Sequence, residues 1–189
     1  MVAGIKNNLL ERGIEALAVL CSLTYTVLYQ LGNIWCWAFA ASGAVLFVYL
    51  CFRRNILAES ALQLFYVGMA IYGYTHWNDA WQTLHWPLSS HLLWIGGALG
   101  ALFLTWQFLQ RFTTSAMPLV DAFTTVFSIV ATWIMVNYVH ENWLYWIVID
   151  AVSVYLYFQR KMYFGAGLFV LYTLLSIGGY FHWLEQLTA

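Results

Sequence analysis

The chain has 189 residues, of which 63% are hydrophobic and only 8% charged, and its net charge is −1. Soluble domains carry about 25% charged residues, and a protein of this size cannot hide so much apolar surface from water. This composition excludes a water-soluble globular domain, and the net charge of −1 leaves no electrostatic footprint for a nucleic-acid partner. The eleven Trp and thirteen Tyr suit the two interfacial belts of a membrane protein.

Seven segments are apolar enough to cross a bilayer, for which a helix needs about 20 largely apolar residues. They are 14–31, 34–52, 57–77, 91–109, 119–138, 143–159 and 163–183. The preceding segment, 1–13, is short and polar and lacks a small-residue cleavage site, so the first span is expected to act as its own insertion signal. The prediction is an all-α membrane protein with a single membrane domain over residues 1–189.

The distribution of positive charge predicts the orientation. With seven spans, all seven Lys and Arg fall on the side of the N-terminus. They are Lys6, Arg12, Arg53, Arg54, Arg111, Arg160 and Lys161. Because positive residues collect on the cytoplasmic side, the N-terminus is predicted to be cytoplasmic and the C-terminus outside. One span more or fewer would scatter these cations over both sides.

The chain contains an internal repeat at an offset of 106 residues. Segment 14–77 aligns with 120–183 without a gap, and sixteen of the 64 positions are identical. A repeat of three spans would invert the next copy, but the additional span at 91–109 restores its direction. The expected architecture is therefore three helices, one linker helix and three helices, with parallel repeats. Transporters built in this way place the substrate near the midplane between the repeats.

Two further features are interpreted as packing. Gly96 and Gly100 on the linker form a G-x-x-x-G pattern that allows close helix approach. Cys21, Cys36 and Cys51 have neither metal-type spacing nor a legible disulfide framework, so they are read as small apolar residues. No metal or cofactor is expected.

Polar residues form stripes on several predicted spans, with intervals of three or four residues that keep each stripe on one helix face. The stripes comprise Glu59, Gln63 and Tyr66; Asp121, Thr125, Ser128 and Thr132; Trp143, Trp146, Asp150, Ser153 and Tyr157; and Tyr172, Ser176 and Gly179. Because polar groups are costly in lipid, they are expected to face the bundle interior or a water path. We predict that they line a shared central hollow.

Asp150 is the most informative residue, because a carboxylate at mid-span costs about 2.5–3.5 kcal/mol on insertion scales. Trp146 lies one turn away, and Tyr66 and Tyr172 are expected on neighbouring faces. Aromatic faces attract cations, by up to about 2 kcal/mol when desolvated. This combination suits a delocalised ring cation such as pyridinium or thiazolium. The alternative is a structural aspartate that is protonated or bonded within its helix. The repeat places Ala44 at the equivalent position, so the site would be asymmetric.

Other polar residues are given structural roles. Glu15 and Asp121 are predicted at the cytoplasmic starts of their helices, where the helix dipole favours an acid. Glu59 is similar, although it could line the inner mouth. His76 and His182 adjoin tryptophans at the outer ends and are interpreted as interface anchors.

Several sequence runs together are similar to the PnuC family of bacterial vitamin transporters. They are Asn33-Ile-Trp-Cys-Trp37, Leu62-Gln-Leu-Phe-Tyr66, Ile71-Tyr-Gly-Tyr-Thr-His-Trp77 and Glu141-Asn-Trp-Leu-Tyr-Trp146. The resemblance covers residues 14–183. It implies a fold related to the SWEET sugar transporters, a homotrimer in the bacterial inner membrane, and energy-independent uptake of nicotinamide riboside. It also implies trapping by a cytoplasmic kinase, and substrate contacts from Gln63, Trp143 and Trp146.

Two departures from the family pattern affect the choice of vitamin. Members of the family that carry nicotinamide riboside have Asn shortly before the Tyr-Gly of the third helix, where this chain has Met69-Ala-Ile-Tyr72, and some have Asn in place of Asp150. With fewer amide side chains, the site has fewer uncharged partners for a ribose or a carboxamide. This weakens the hypothesis of nicotinamide riboside and strengthens that of thiamine. Both substrates carry a permanent ring charge, so Asp150 does not distinguish them.

The leading hypothesis is facilitated diffusion of a cationic vitamin by alternating access, with nicotinamide riboside first and thiamine as the alternative. Asp150 would hold the charge. The ring would stack on Trp143, Trp146, Tyr66 and Tyr172, and polar groups would bond to Gln63 and Ser176. A non-transporting membrane scaffold or sensor is a more remote alternative. No nucleophile with a base and no metal cluster is visible, so an enzyme is not expected.

Overall fold

The computed structural model describes residues 2–53, 57–77, 84–113, 115–161 and 163–188. Within these ranges the chain forms seven helices, which confirms the all-α prediction. They are α1 (Val2–Gln30), α2 (Cys36–Arg53), α3 (Leu57–Thr75), α4 (Leu88–Phe112), α5 (Pro118–Val136), α6 (Asn142–Gln159) and α7 (Tyr163–Thr188).

Five of these helices are long and apolar enough to cross a membrane. The five stretches are Leu10–Gln30, Cys36–Arg53, Leu88–Phe112, Pro118–Val136 and Gly165–His182. The remaining two, α3 and α6, contain Gln63 and Asp150 together with many Tyr and Trp residues, which lowers their hydropathy. Both of these helices carry one of the predicted polar stripes, but so do α5 and α7, which are apolar enough to cross a membrane.

The first helix is longer than predicted. It begins at Val2, so the polar N-terminal segment is helical. Glu15 consequently lies in the middle of α1, and the prediction that it caps a helix start was wrong. The cause is that polar residues such as Lys6 and Arg12 are good helix formers, so helix propensity extends the helix beyond the apolar stretch.

The chain divides into two compact units, residues 1–81 and 82–189. In the first unit α2 packs against both α1 and α3. In the second, α6 packs against α5 and α7, while α4 packs against α5. The central helix of each group of three is therefore the second in chain order.

The α1–α2 turn and the α5–α6 turn have the same hydrogen bonds at the 106-residue offset. In the first unit Gly32 N–H donates to Tyr29 O and Asn33 N–H to Leu28 O. In the second, Tyr138 N–H donates to Met135 O and Val139 N–H to Ile134 O. The residue at the bend has a positive φ in both, 64° at Gly32 and 57° at Tyr138. The backbone thus follows the repeat even where glycine is replaced by tyrosine.

Side chains also share contacts at this offset. Thr26 donates to Ser22 O over 3.1 Å, and its counterpart Thr132 donates to Ser128 O over 2.7 Å. Both Ser128 and Thr132 are buried. The Thr132 hydroxyl is therefore satisfied within its own helix, a common way to accommodate Thr in apolar surroundings.

The second unit has a hydrophobic core built around α5. Ten of the nineteen residues of α5 are buried, because α4 and α6 both pack against this helix. The buried core residues are Ala98, Val126, Phe127, Val130, Ala131, Ile134, Val139 and Ile149. This core fixes the position of α6, which carries Trp143, Trp146 and Asp150 of the predicted site.

Asp121 forms an ion pair instead of a helix cap. It lies in the first turn of α5, where the dipole favours an acid, but α5 has no side-chain cap hydrogen bond. Arg160 Nη2 at the end of α6 donates to both carboxylate oxygens, over 2.9 and 2.7 Å, and Ser115 also donates to this carboxylate. The pair joins the two ends of a helix hairpin, a contact between residues 39 positions apart.

We expect Asp121→Asn to lower the free energy of unfolding by about 1 kcal/mol, because exposed ion pairs contribute about 0–1 kcal/mol and this one has two hydrogen bonds. The change should appear as a lower Tm of the detergent-purified protein. The difference from the wild type should shrink in high salt, since salt screens surface charges. A difference independent of salt would argue against an ionic contribution.

The glycine pattern on the linker helix does not mediate packing among the described residues. Gly96 and Gly100 are exposed, and a methyl group built on either would meet no atom within 4 Å. The prediction that this pattern packs a neighbouring helix is therefore not supported within the described chain. Close approaches of an aromatic ring to the backbone occur instead at Gly73, Gly165 and Gly179.

Candidate functional site

The interface between α6 and α7 aligns three pairs of residues along one face of each helix. Trp143 packs on Gly179 near the start of α6. Asp150 and Ser176 meet two turns further along. Tyr157 packs on Gly165 near the other end. The α6 members of these pairs, Trp143, Asp150 and Tyr157, are seven residues apart, which keeps them on one face of the helix. Asp150 and Ser176 therefore meet near the middle of the α6–α7 interface, with an aromatic–glycine contact on either side of them along the helices.

The carboxylate of Asp150 is buried, with 5% of the residue exposed, and Ser176 is 4% exposed. The Ser176 hydroxyl donates to Asp150 Oδ2 over 3.5 Å, which is at the long limit for a hydrogen bond. No cation of the chain lies near it in sequence, since the nearest is Arg160 at the end of the helix. A buried carboxylate with one long hydrogen bond can still accept a further hydrogen bond or pair with a cation.

The same two positions in the first unit hold alanines. Counting back 106 residues, Asp150 corresponds to Ala44 and Ser176 to Ala70, which are 6% and 2% exposed. A helix pair of this type thus accommodates two small apolar residues at this level. We therefore expect the packing of the second unit to tolerate the loss of the acid and the hydroxyl at this level. This asymmetry favours a functional role for Asp150 over the structural alternative.

The tryptophans of α6 occupy two different environments. Trp143 is buried and lies against Gly179, whereas Trp146 is half-buried and packs against the core around α5. The Trp146 indole N–H is buried and has no hydrogen-bond partner among the described residues. An indole N–H is a donor only, and leaving it unsatisfied costs free energy. It is therefore available to a ligand that presents an acceptor.

Asn142 was not among the predicted site residues, although it stands in one of the motifs that carry the resemblance. It is fully buried at the start of α6, and its Nδ2 donates to Val139 O over 2.7 Å. Its Oδ1 has no hydrogen-bond partner within the described part of the chain. Asn142, Trp146 and Asp150 recur every four residues, so the helical period could have revealed them as one stripe.

The other predicted residues are placed as follows. Tyr172 is half-buried on α7, with its ring centroid 6.1 Å from that of Phe169. Gln63 and Tyr66 are half-buried on α3 in the first unit, and Tyr66 contacts the ring of Phe65. The side chain of Glu59 lies outside the described residues. The structure thus brings together Asp150 and Ser176, with Trp143 two turns away along the same interface.

A shallow apolar groove of about 230 Å³ lies on the exposed side of α6 and α7. It is lined by Ala151, Val154, Val170, Thr173 and Leu174. None of the predicted site residues lines it. Its composition suits contact with lipid chains and not the recognition of a polar solute.

Comparison with known proteins decides the family. The model of the nicotinamide mononucleotide transporter family matches residues 12–185. The chain belongs to this family. The match includes all of α2 to α6 and most of α1 and α7. The family is one of membrane transporters and not of enzymes, and the protein is accordingly a multi-pass membrane protein.

Individual members agree with this assignment. The chain is 25% identical to the nicotinamide riboside transporter PnuC of Escherichia coli K12, over 92% of this chain and 85% of that protein. The protein of the same name from Shigella flexneri gives the same values. The crystal structure of a vitamin B3 transporter PnuC matches with a TM-score of 0.74 and 22% identity, over 91% of this chain and 80% of that one. The predicted PnuC resemblance is confirmed, and the structural match shows a shared fold.

Proposed function

We propose that the protein carries nicotinamide riboside across the bacterial inner membrane by facilitated diffusion. The observation on which this rests is the buried pair of Asp150 and Ser176, which stands where the other repeat has two alanines. An acid retained at this level, without a structural need for it, suits a substrate with a permanent positive charge. The pyridinium ring of nicotinamide riboside carries such a charge.

The two unsatisfied groups on α6 support the carboxamide of this vitamin as a second point of recognition. The Trp146 indole N–H can donate to the amide oxygen, and Asn142 Oδ1 can accept from the amide NH₂. Sites that bond a polar substrate group reject analogues without it, because their own polar groups then remain unpaired. Trp143, Tyr66 and Tyr172 stay predicted as stacking partners, with Gln63 for the ribose and Glu59 at the inner mouth.

The position of the cations favours a riboside over a mononucleotide. A phosphate is usually held by Arg or Lys through charge-assisted hydrogen bonds. All seven Lys and Arg lie at or beyond the ends of the predicted spans, on the side that we propose is cytoplasmic. A phosphate at mid-bilayer would meet the Asp150 carboxylate without a neighbouring cation. The site chemistry therefore suits a cation with no compensating anionic group.

The proposed architecture has two parallel three-helix repeats, 14–77 and 120–183, joined by a linker helix, as in SWEET transporters. The shared turns and tryptophan–glycine contacts at the 106-residue offset support this arrangement. We propose that the repeats rock around a central hollow, that the N-terminus is cytoplasmic, and that the protein is a homotrimer. Seven spans are needed for this orientation, so α3 and α6 would cross the membrane with their polar faces inward.

Ligand-dependent thermal stability tests the proposed substrate. Nicotinamide riboside at about 100 times its Kd should stabilise the purified protein by about 2.7 kcal/mol, because a ligand bound only to the native state stabilises it by mass action. Nicotinamide mononucleotide, neutral nicotinamide and thiamine are the comparison ligands.

The pattern of shifts distinguishes the candidates. A larger shift with thiamine would favour the alternative vitamin, since thiamine lacks the carboxamide but keeps the ring charge. A shift with the mononucleotide equal to that with the riboside would contradict the expected clash between phosphate and Asp150. If none of the ligands changed the Tm, the proposed site for a cationic vitamin would be contradicted.

A further inference from the structure

A short segment before α4 lies along the turn between α5 and α6. We call residues 84–87 the strap. Leu84 N–H donates to Tyr138 O over 2.9 Å, and His140 N–H donates to Leu84 O over 2.9 Å. The strap therefore pairs with the α5–α6 turn through two backbone hydrogen bonds. Leu84 pairs with Val139, which is fully buried.

Side chains from the strap and α4 converge on Glu141, which follows this turn. His85 Nδ1 lies 2.8 Å from Glu141 Oε1, and because a carboxylate only accepts, that nitrogen carries a proton. His91 Nε2 on α4 lies 3.7 Å from Glu141 Oε2, and His91 Nδ1 lies 3.0 Å from the Tyr145 hydroxyl. Glu141 thus joins the strap, the start of α4 and the first turn of α6.

His140 lies behind this network and is 2% exposed. Its ring centroid is 5.3 Å from that of His85 and 4.8 Å from that of Tyr180 on α7. A proton on His140 would place a positive charge in a buried position beside a second histidine. Burial of a charge is costly unless an opposite charge compensates for it, and a second cation nearby adds repulsion.

We propose that these histidines form a pH-operated latch, in which the strap stays closed while His140 is neutral and lifts when His140 takes a proton. Lifting the strap separates His85 from His140 and admits water to the ring, so the open state accommodates the charge. The proposal goes beyond the choice of solute and holds for any solute carried.

The direction of the pH effect follows from two groups outside the helices. Burial, and then the neighbouring His85, lowers the pKa of His140, with a smaller opposing effect from Glu141. Burial alone would raise the pKa of Glu141, but hydrogen bonds, first that from His85, hold it below its usual range. A lowered pKa means that the closed state binds fewer protons than the open state. The closed strap is therefore most stable at neutral pH and loses stability as the pH falls below about 6.5, the ordinary value for histidine.

The titratable groups that face His140 and Glu141 come from every packed element: His85 on the strap, His91 on α4, Tyr145 on α6 and Tyr180 on α7. Among the described residues, no group of His, Cys, Asp and Glu is arranged to hold a metal ion, so a metal is not invoked for this cluster.

The latch adjoins the candidate site. Glu141 immediately precedes Asn142 and Trp143, and Tyr180 immediately follows Gly179, on which Trp143 packs. The strap lies at the start of α6, the end that the cation distribution predicts to face outside. External acid would therefore loosen the end of the α6–α7 pair through which a solute from outside would enter.

Thiol accessibility at the strap tests the latch directly. Val139→Cys would be made in a protein whose Cys21, Cys36 and Cys51 are replaced by Ala, and reconstituted in vesicles. The rate of labelling by a methanethiosulfonate reagent would be measured between pH 7.5 and 5.5. Ser89→Cys, at an exposed position in the first turn of α4, corrects for the slower reaction of thiols in acid. We expect the corrected labelling of the Val139→Cys variant to rise by up to about tenfold per pH unit below 6.5, as one proton is taken up on opening.

Two further variants assign the effect. In the Val139→Cys background, His140→Asn should give slow labelling at both pH values, since it cannot take the proton. Glu141→Gln should give fast labelling at both, because the anchor for His85 is weakened. Labelling that is independent of pH in the otherwise unaltered protein would overturn the latch, and pH dependence that persists in His140→Asn would overturn the role of His140. Because labelling needs no substrate, these results are separate from those on the vitamin carried.

Discussion

Replacing Asp150 and Ser176 together by alanine should leave the protein folded and at least as stable as the wild type, while abolishing measurable affinity for nicotinamide riboside. The first unit already has this combination, in Ala44 and Ala70 at the equivalent positions. Removing a buried carboxylate relieves its desolvation cost, which offsets the loss of packing volume. The first unit thus shows which pair of residues can replace the acid and its partner.

The single change Asp150→Asn separates charge from shape. It retains the size of the side chain, so the fold should be unaffected, but the attraction to the pyridinium ring is lost. Removal of one partner from a buried charge pair costs about 2–5 kcal/mol, which corresponds to a rise in Kd of about thirtyfold or more. Isothermal titration would measure the Kd, and a Tm without ligand would check the fold. An unchanged Kd in both variants would remove Asp150 from the site, and a lower Tm in the alanine double variant would favour the structural alternative.

Gly179→Ala is expected to cause the second large effect, a loss of both stability and binding. A methyl group at this position would lie 2.8 Å from the Trp143 indole, which is too close for a carbon–carbon contact. Trp143 is 2% exposed, so its ring has little room to move away. Overpacking of this kind costs about 1–3 kcal/mol. Displacement of Trp143 would also disturb the predicted stacking surface, and we expect at least a tenfold rise in the Kd for nicotinamide riboside, or about 1.4 kcal/mol.

The neighbouring Gly178 is a matched control. A methyl group there would meet nothing within 4 Å, so Gly178→Ala should leave binding unchanged and either preserve or raise the Tm, since Ala is the better helix former. Gly73→Ala in the first unit should reduce stability as Gly179→Ala does, because Gly73 lies against Trp37 in the same way. Equal Tm values for Gly178→Ala and Gly179→Ala would contradict the proposed contact between Trp143 and the backbone.

The positions of the helices were largely predictable because a bilayer requires a minimum apolar length and a fixed orientation of positive charge. The bounds of α2, α3, α5 and α6 lie within two residues of the predicted spans at each end. The start of α1 was not predictable in this way, since polar residues extend a helix without an apolar signal. The site was only partly predictable. Asp150 is conspicuous in any hydropathy profile, whereas Asn142 is conspicuous only once its burial and unpaired oxygen are known.

By itself, the sequence determined the membrane class, the helical content and the register of the repeat. These depend on composition and on residues close together along the chain, which one-dimensional patterns record. Only the tertiary structure decided that Asp121 binds Arg160, that Trp143 rests on Gly179, and that three histidines converge near Glu141. Each of these contacts joins residues from different helices or loops. Such contacts depend on how helices rotate and pack against one another, and spacing along the chain does not encode that rotation.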